Sequence, residues 1–455
     1  MRSRIVVLTG MAVLVLALVP ERSFSGEKIV GYYAAWKSGI LPCNEIEYSN
    51  LTDIIIAFAV PDSDGTLSCY PGIPFPQLVD SAHAHGINVL LSIGGAGGGT
   101  YFPNVTADSA SRAVFIKNIV SFLTTNHYDG IDIDWESPAN SQQTNQLTAL
   151  VREMRLRFDQ LDTNWLITMA IPAGPYWGDH FDYEAMTQYI SWYNLMCYDF
   201  VGSWSKYSGH NSPLYMSSSD PNAAGADSNS FLYMTATRKV PAAKLMLGVP
   251  FYAVEFDVPG LYEKLTNAST TNPVYSDIVS DIDSGWTYNW DDVSKVPYLT
   301  NSNPGKFITF EDTTSIRLKA EFVKRKALGG MMIWELSQDV YRGSQPLLET
   351  LASSLRVPTA VKEAAPIASG YKLFDNYPNP FNPSTTIRFV VRTSGFVSIK
   401  VYDVLGRLMK TLVDSRQAAG EHAVVFDGSG LASGVYFCRL TAPGFIQVKK
   451  VMLLK

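Results

Sequence analysis

The sequence is poor in cysteine and histidine, with four and six among 455 residues. The histidines form no HExxH pair, and the cysteines show no CxxC or Cys/His spacing. A metal site therefore lacks ligands, and neither metal nor cofactor is expected. No GxGxxG follows a first strand, which argues against a dinucleotide-binding sheet. Positive charge is not in surplus: 36 Lys and Arg face 42 Asp and Glu, a net charge of −6. Nothing is left over to neutralise phosphates, so nucleic acid is not an expected partner. Long apolar runs are scarce too. One, Ile5–Val19, follows Arg2 and Arg4 and precedes Pro20, Ser23 and Ser25. That is the pattern of an export leader over residues 1–25, with the mature chain starting near Gly26. The run is short for a membrane span, though an uncleaved anchor is the alternative. A secreted or cell-surface location follows.

What is present is a large apolar fraction, 46%, with only 17% charged residues. A chain of this length and composition accommodates one large domain and a smaller one. Aromatics reach 12%. Their faces suit flat, partly apolar ligands such as sugars, or simply fill a core. Cys43 and Cys69 are candidates for a disulfide that would close a loop of roughly 25 residues, worth about 3 kcal/mol if unstrained. Cys197, inside an apolar run, reads as a buried thiol.

Eight short apolar, β-rich runs recur: Lys28–Trp36, Asp53–Val60, Asn88–Gly95, Tyr128–Glu136, Leu166–Ala173, Ser191–Phe200, Lys244–Ala253 and Gly329–Leu336. They are near-continuous rather than alternating, as strands covered on both faces should be. Helix-like stretches lie between them. Ser109–Thr124 carries Val114, Phe115, Ile119, Phe122 and Leu123 on one side, and Thr144–Phe158 and Ser315–Ala327 read similarly. The expectation is an α/β chain with a parallel (β/α)8 barrel over residues 26–355. A small α+β insertion, approximately 255–310, separates the last two strands. An Ala- and Pro-rich linker spans 356–370. Residues 371–455 form a small all-β sandwich of Ig-like type, with strands at Thr385–Val391, Val397–Val404, His422–Phe426, Val435–Thr441 and Ile446–Leu454.

The chemistry concentrates in Asp129-Gly130-Ile131-Asp132-Ile133-Asp134-Trp135-Glu136. Side chains alternate along a strand, so Asp132, Asp134 and Glu136 share one face and Ile131, Ile133 and Trp135 the other. The apolar set packs against helices and the acids point into the barrel, with Glu136 at the C-terminal mouth where barrel enzymes keep their sites. Three carboxylates on one face cannot all ionise comfortably, so at least one pKa should rise, as a general acid requires. Asp129 has the opposite parity and a structural role. Glu335 likewise faces away from the barrel.

This stretch resembles the DxxDxDxE motif of glycoside hydrolase family 18 chitinases. Gly31-Tyr32-Tyr33, Ser92-Ile93-Gly94-Gly95, Met196-Cys197-Tyr198-Asp199, Gly209-His210-Asn211-Ser212-Pro213-Leu214 and Gly329-Gly330-Met331-Met332-Ile333-Trp334 resemble further motifs of that family in order. The likeness covers roughly Lys28 to Leu355. It implies hydrolysis of β-1,4-linked N-acetylglucosamine chains with retention, the substrate's acetamido group acting as nucleophile through an oxazolinium ion. On that pattern Glu136 is acid and then base. Asp134 orients the acetamido N–H and shares a proton with Asp132 or Glu136, and Tyr198 donates to the acetamido oxygen. Asp199, Trp334 and Met196 line the substrate, with Tyr32 and Ser92 behind Asp132. Gly95, Phe58 and Tyr252 complete the candidate substrate-binding set. Ala96, Val201 and Val254 depart from residues frequent in the family (Trp, His and a Gly-Arg pair), which puts the subsite pattern in question. Trp36, Trp177, Trp204 and Trp290 can line a groove. Endo-β-N-acetylglucosaminidases acting on N-glycans and non-catalytic chitin-binding lectins are the alternatives.

The tail, Asn376-Tyr377-Pro378-Asn379-Pro380-Phe381-Asn382-Pro383 with Val401-Tyr402-Asp403-Val404-Leu405-Gly406-Arg407, resembles the C-terminal sorting domain of bacterial type IX secretion. The implied partners are chitin or chito-oligosaccharides and that secretion machinery, with the chain itself a monomer.

Overall fold

The computed structural model describes residues 27–223, 225–266, 269–281, 285–301, 305–356, 371–374, 376, 378–393, 395–403, 407–442 and 445–454. The expected leader and almost all of the expected linker lie outside these residues. The chain divides into two compact units at residues 359/360.

In the first unit eight parallel strands close on themselves: β1 Lys28–Ala34, β2 Asp53–Pro61, β3 Asn88–Gly94, β4 Gly130–Asp134, β5 Leu166–Pro172, β6 Trp192–Met196, β7 Leu245–Pro250 and β8 Gly330–Trp334. Each pairs with its sequence neighbours, and β1 pairs with both β8 and β2 to complete the barrel. The short strand Leu67–Cys69 runs antiparallel beside the end of β2. Helices between strands bury an apolar stripe against the sheet. Ser109–Asn126 is N-capped by Asp108 and buries Phe115, Ile116, Ile119 and Leu123. Val114, expected on that stripe, is 46% exposed. It sits one residue, about 100° of helix rotation, before Phe115 and so turns outward.

Two cores result. Outside the strands, Ile131 and Ile133 of β4 and Trp135 just beyond its end join the helices, and Trp135 stacks on Phe102 at 4.9 Å. Inside, Val30, Tyr32, Ile55, Leu90, Trp192 and Met332 fill the barrel. Its floor holds a buried ion pair between Lys28 and Asp53 at 2.7 Å, with Asn88 also donating to Asp53. Lys28 lies 4.3 Å over the Trp192 ring. Since this filled floor blocks passage, any ligand enters from the C-terminal mouth.

Between β7 and β8 the chain forms a five-stranded antiparallel sheet in the order Thr270–Thr271, Val254–Phe256, Lys306–Thr309, Val296–Asn301, Thr287–Asp291, with the helix Tyr275–Asp281 inside it and the helix Thr313–Arg325 after it. Its core of Val254, Phe256, Val258 and Phe307 includes Val201 and Tyr252, and Tyr198 and Trp334 pack against it. The insertion thus forms part of one wall at the mouth.

The second unit is a sandwich of a three-stranded and a four-stranded sheet around Leu373, Ile387, Phe389, Val397, Ile399, Val401, Phe426 and Leu440. It contains a strand that the sequence pattern does not suggest, Leu408–Gln417. Among the described residues this is an edge strand, paired with Gly395–Tyr402 alone. It is largely exposed, so it lacks an apolar alternation to mark it.

The cysteine pairing is not borne out. Cys43 and Cys69 are both free thiols. Cys43 sits in a 3-10 turn whose carbonyl accepts from Tyr48, whereas Cys69 lies on the hairpin strand opposite Ala59. Each packs separately against the outer core.

Candidate active site

The register of the barrel assembles the site around Asp132. Ser92 of β3 and Thr168 of β5 stand directly beside it in the sheet. Ser92 Oγ donates to Asp132 Oδ2 at 2.9 Å, and Tyr32 Oη of β1 donates to the same oxygen at 2.7 Å. Thr168 Oγ1 and Asn194 Nδ2 donate to Oδ1 at 2.6 and 3.1 Å. Asn194 also donates to Tyr32 Oη at 3.2 Å, closing the network. Asp132 is fully buried. Burial raises its pKa, and the four donors pull the other way.

One step up β4, Asp134 is 4% exposed and its surroundings are different. Its Oδ1 has no hydrogen-bond partner among the described residues. Burial first, and then the charges of Glu136 and Asp132, hold its pKa well above the ordinary carboxylate range. Glu136, the third rung, is exposed at the mouth. Protein crowds its flanks, so desolvation and then Asp199 raise its proton affinity too. The three acids thus pass from saturation with donors, through an unpartnered oxygen, to an open carboxyl.

Gly94 and Gly95 make room for this rung. The Gly95 amide donates to the Asp134 carbonyl at 2.9 Å. A Cβ on Gly94 would lie 2.1 Å from that oxygen, and one on Gly95 would lie 2.7 Å from the Phe58 ring. Gly95 also has φ +84°, where side chains are strained.

The other sequence-identified residues gather here. Tyr198 faces the acids, and burial followed by the charges of Asp134, Asp199 and Glu136 pushes its phenol well up. Tyr252 Oη donates to Asp199 Oδ1 at 2.5 Å. Met196 and Trp334 border the inner core beside Tyr198. Trp334 stacks on Phe58 at 5.6 Å and meets Tyr32 edge-on at 5.4 Å. Trp36 continues the aromatic run, stacking on Phe58 at 6.0 Å. Asp199, Tyr252 and Trp334 line a cavity of about 290 Å³ with Trp204 and the departing residues Val201 and Val254. Trp177 is half exposed and packs on Tyr176 and His180. Trp290 lies in the insertion sheet. Asp129 accepts from the Val89 amide and contacts His83, and Glu335 caps a short helix through Ser337. Both lie outside the acid ladder.

Sequence reasoning missed Thr168 and Asn194. Each is a lone polar residue in an apolar run, and Asn194 shares strand parity with Met196 and Tyr198. That parity is the signal that could have found it.

No described group of three or more His, Cys, Asp or Glu side chains could hold a metal ion. The donors around Asp132 are hydroxyls and an amide rather than further anions. The arrangement can hold a proton among carboxyls at the mouth and stack a ring on Trp334.

A ladder of carboxyls with raised proton affinity, opening into an aromatic-lined cleft at the C-terminal mouth of a (β/α)8 barrel, is the arrangement of a barrel-type glycoside hydrolase site. The comparisons agree. Residues 28–339 match the family "Glycosyl hydrolases family 18", and the chain belongs to that family. Residues 375–454 match the "Secretion system C-terminal sorting domain". Chitinase A1 of Niallia circulans is 32% identical over 287 residues, covering 56% of this chain and 41% of the relative's own length. Chitinase 1 of Aphanocladium album is 28% identical, covering 72% of this chain and 86% of that protein. Among solved structures, catalytic domain 2 of the Ostrinia furnacalis Group II chitinase superposes with a TM-score of 0.68 at 27% identity, covering 75% of this chain and 98% of that domain. The sorting domain implies type IX export, to the medium or the cell surface.

Proposed function

We propose that the barrel hydrolyses β-1,4-linked N-acetylglucosamine, as chitin or chito-oligosaccharides, with retention and with the substrate's acetamido oxygen as nucleophile. One observation carries the reading: the graded ladder of Asp132, Asp134 and Glu136. Glu136 keeps a proton at the mouth and passes it to the glycosidic oxygen as the bond from that oxygen to C1 breaks. The acetamido oxygen of the same sugar bonds to C1, giving an oxazolinium ion. This is the substrate-assisted exception to the two-carboxylate scheme. Asp134 accepts the acetamido N–H, the donor its buried Oδ1 lacks. Tyr198, kept protonated by burial and then by the acids around it, donates to the acetamido oxygen and holds it near C1. Water then adds to C1, Glu136 takes its proton, and the acetamido oxygen leaves C1. Trp334 forms the floor under the reacting ring, and Asp199 with Tyr252 binds its flank. The chitinase relatives support this substrate class. Residues 1–25 act as an export leader and the sorting unit completes export, the chain acting as a monomer.

The test is hydrolysis of chitotetraose and chitohexaose by the wild type beside Glu136→Gln, with early products resolved by anomer. The expected result is β-anomer product from the wild type and a loss of at least ~10³-fold in the variant. Early α-anomer would rule out retention. Intact oligomers that nevertheless bind would turn the reading toward a lectin, and cleavage of high-mannose N-glycans instead would identify an endo-β-N-acetylglucosaminidase.

A further inference from the structure

Tyr198 lies beyond the end of β6. Both peptide groups that flank it are nevertheless held, and from one dipeptide. Ser212 Oγ donates to the Cys197 carbonyl at 2.5 Å, and the Asp199 amide donates to Asn211 Oδ1 at 2.9 Å. The first bond fixes the peptide plane before Tyr198 and the second fixes the plane after it. Since peptide units are planar, holding both planes fixes φ and ψ of the residue between them. Asp199 itself is left-handed, with φ 57°, a conformation that needs support in a non-glycine residue.

The dipeptide is anchored from outside the mouth. The Asn211 amide donates to Thr309 Oγ1, at the end of the insertion, at 3.0 Å. Lys319 Nζ donates to both the carbonyl and the Oγ of Ser212, each at 2.6 Å. Lys319 in turn pairs with Glu311 at 2.7 Å and Asp227 at 3.1 Å. All three charged side chains are buried. Because Ser212 Oγ accepts from the ammonium, its single proton is left to point at the Cys197 carbonyl. Lys319 therefore sets the direction of the bond. A buried cation with two acids is a poor device for stability alone, and here two of its contacts converge on Ser212.

We propose that Asn211 and Ser212, anchored by Thr309 and Lys319, form a clamp that positions Tyr198. They are positioning residues that act through Tyr198, and the inference rests on the hydrolytic role given to Tyr198 above. The test uses the full chain with Ser212→Ala and Ser212→Thr, each alone and combined with Tyr198→Phe. Ser212→Ala is expected to lower kcat on chitotetraose about ten-fold with KM within about two-fold, since small misplacements act on the chemical step. Ser212→Thr, which keeps the hydroxyl, restores most of it. In the Tyr198→Phe background Ser212→Ala should add less than about two-fold, because no phenol remains to position. An undiminished further loss there overturns the clamp. Hydrogen–deuterium exchange of the peptide spanning residues 197–200 needs no substrate. Faster exchange in Ser212→Ala supports the clamp, and unchanged exchange overturns it. If the wild type cleaves no chito-oligosaccharide, the hydrolytic reading fails while the exchange result still decides the clamp.

Discussion

Deleting the Thr168 hydroxyl should weaken the barrel at neutral pH and much less in acid. Thr168→Val keeps the side-chain shape and removes the 2.6 Å bond to Asp132 Oδ1. Both residues are fully buried, so bulk water does not replace the donor. A hydrogen bond to a charged group is worth roughly 1.5–3 kcal/mol. Tyr32, Ser92 and Asn194 remain as donors, which points to the lower half, about 1.5–2 kcal/mol. Burial already holds the folded pKa of Asp132 above its ordinary value. The lost donor raises it further, by about one unit per 1.4 kcal/mol. An acid with a raised folded pKa favours the folded state fully below its unfolded pKa, about 3.9, and that contribution is lost as pH rises through the folded value. The variant's cost is therefore full above the folded pKa. It falls to that of a neutral hydrogen bond, roughly 0.5–1 kcal/mol, once Asp132 is protonated. All nine tryptophans precede residue 335, so their fluorescence reports the barrel alone. Urea titrations at about pH 7 and about pH 4 bracket the range. An equal cost at both, or a larger one in acid, would refute Asp132 as a charged hub.

Asp199→Asn removes the charge that, after burial, raises Glu136. Glu136 then loses its proton at lower pH, and the alkaline limb of kcat/KM should move down. A limb that stays or moves up contradicts the assignment. Gly95→Ala places a Cβ 2.7 Å from the Phe58 ring on a φ of +84°. It should cost about 2–4 kcal/mol and weaken oligosaccharide binding in calorimetry, and an unshifted melting temperature would count against the contact. Lys319→Met leaves Asp227 and Glu311 without their cation, a loss of roughly 3–5 kcal/mol near neutral pH. Burial already pushes Asp227 up to about 7, so in denaturant titrations the loss should shrink as pH falls and both acids take up protons. A loss independent of pH would contradict this.

The barrel was legible because its strands are covered on both faces and read as apolar runs. Strand parity alone put Asp132 and Asp134 inside and Ile131, Ile133 and Trp135 outside, as found. What parity cannot supply is which residues of other strands stand at the same level. Thr168 faces Asp132 through the β4–β5 register, a property of the closed sheet rather than of either strand. The Asn211–Ser212 contacts were hidden for a related reason. They join a loop to a helix and an insertion far along the chain. Cys43 and Cys69 were misread because nearness in sequence says nothing of the separate surroundings the fold gives each thiol.

The ladder also shows why three acids on and just beyond one strand need four other strands. Left to themselves, Asp132, Asp134 and Glu136 would share protons according to burial, and the deepest would hold one most tightly. Four donors from β1, β3, β5 and β6 oppose that tendency at Asp132. Among the described residues no partner serves Asp134 Oδ1, and the Asp134 pKa is raised by burial first, then by Glu136 and Asp132. The donors thereby shift proton affinity from Asp132 outward to Asp134, the neighbour of the acid at the mouth. On this argument the direction of the ladder belongs to side chains that never touch substrate. Removing any of the four should raise the proton affinity of Asp132 and weaken the charge through which Asp132 lifts Asp134.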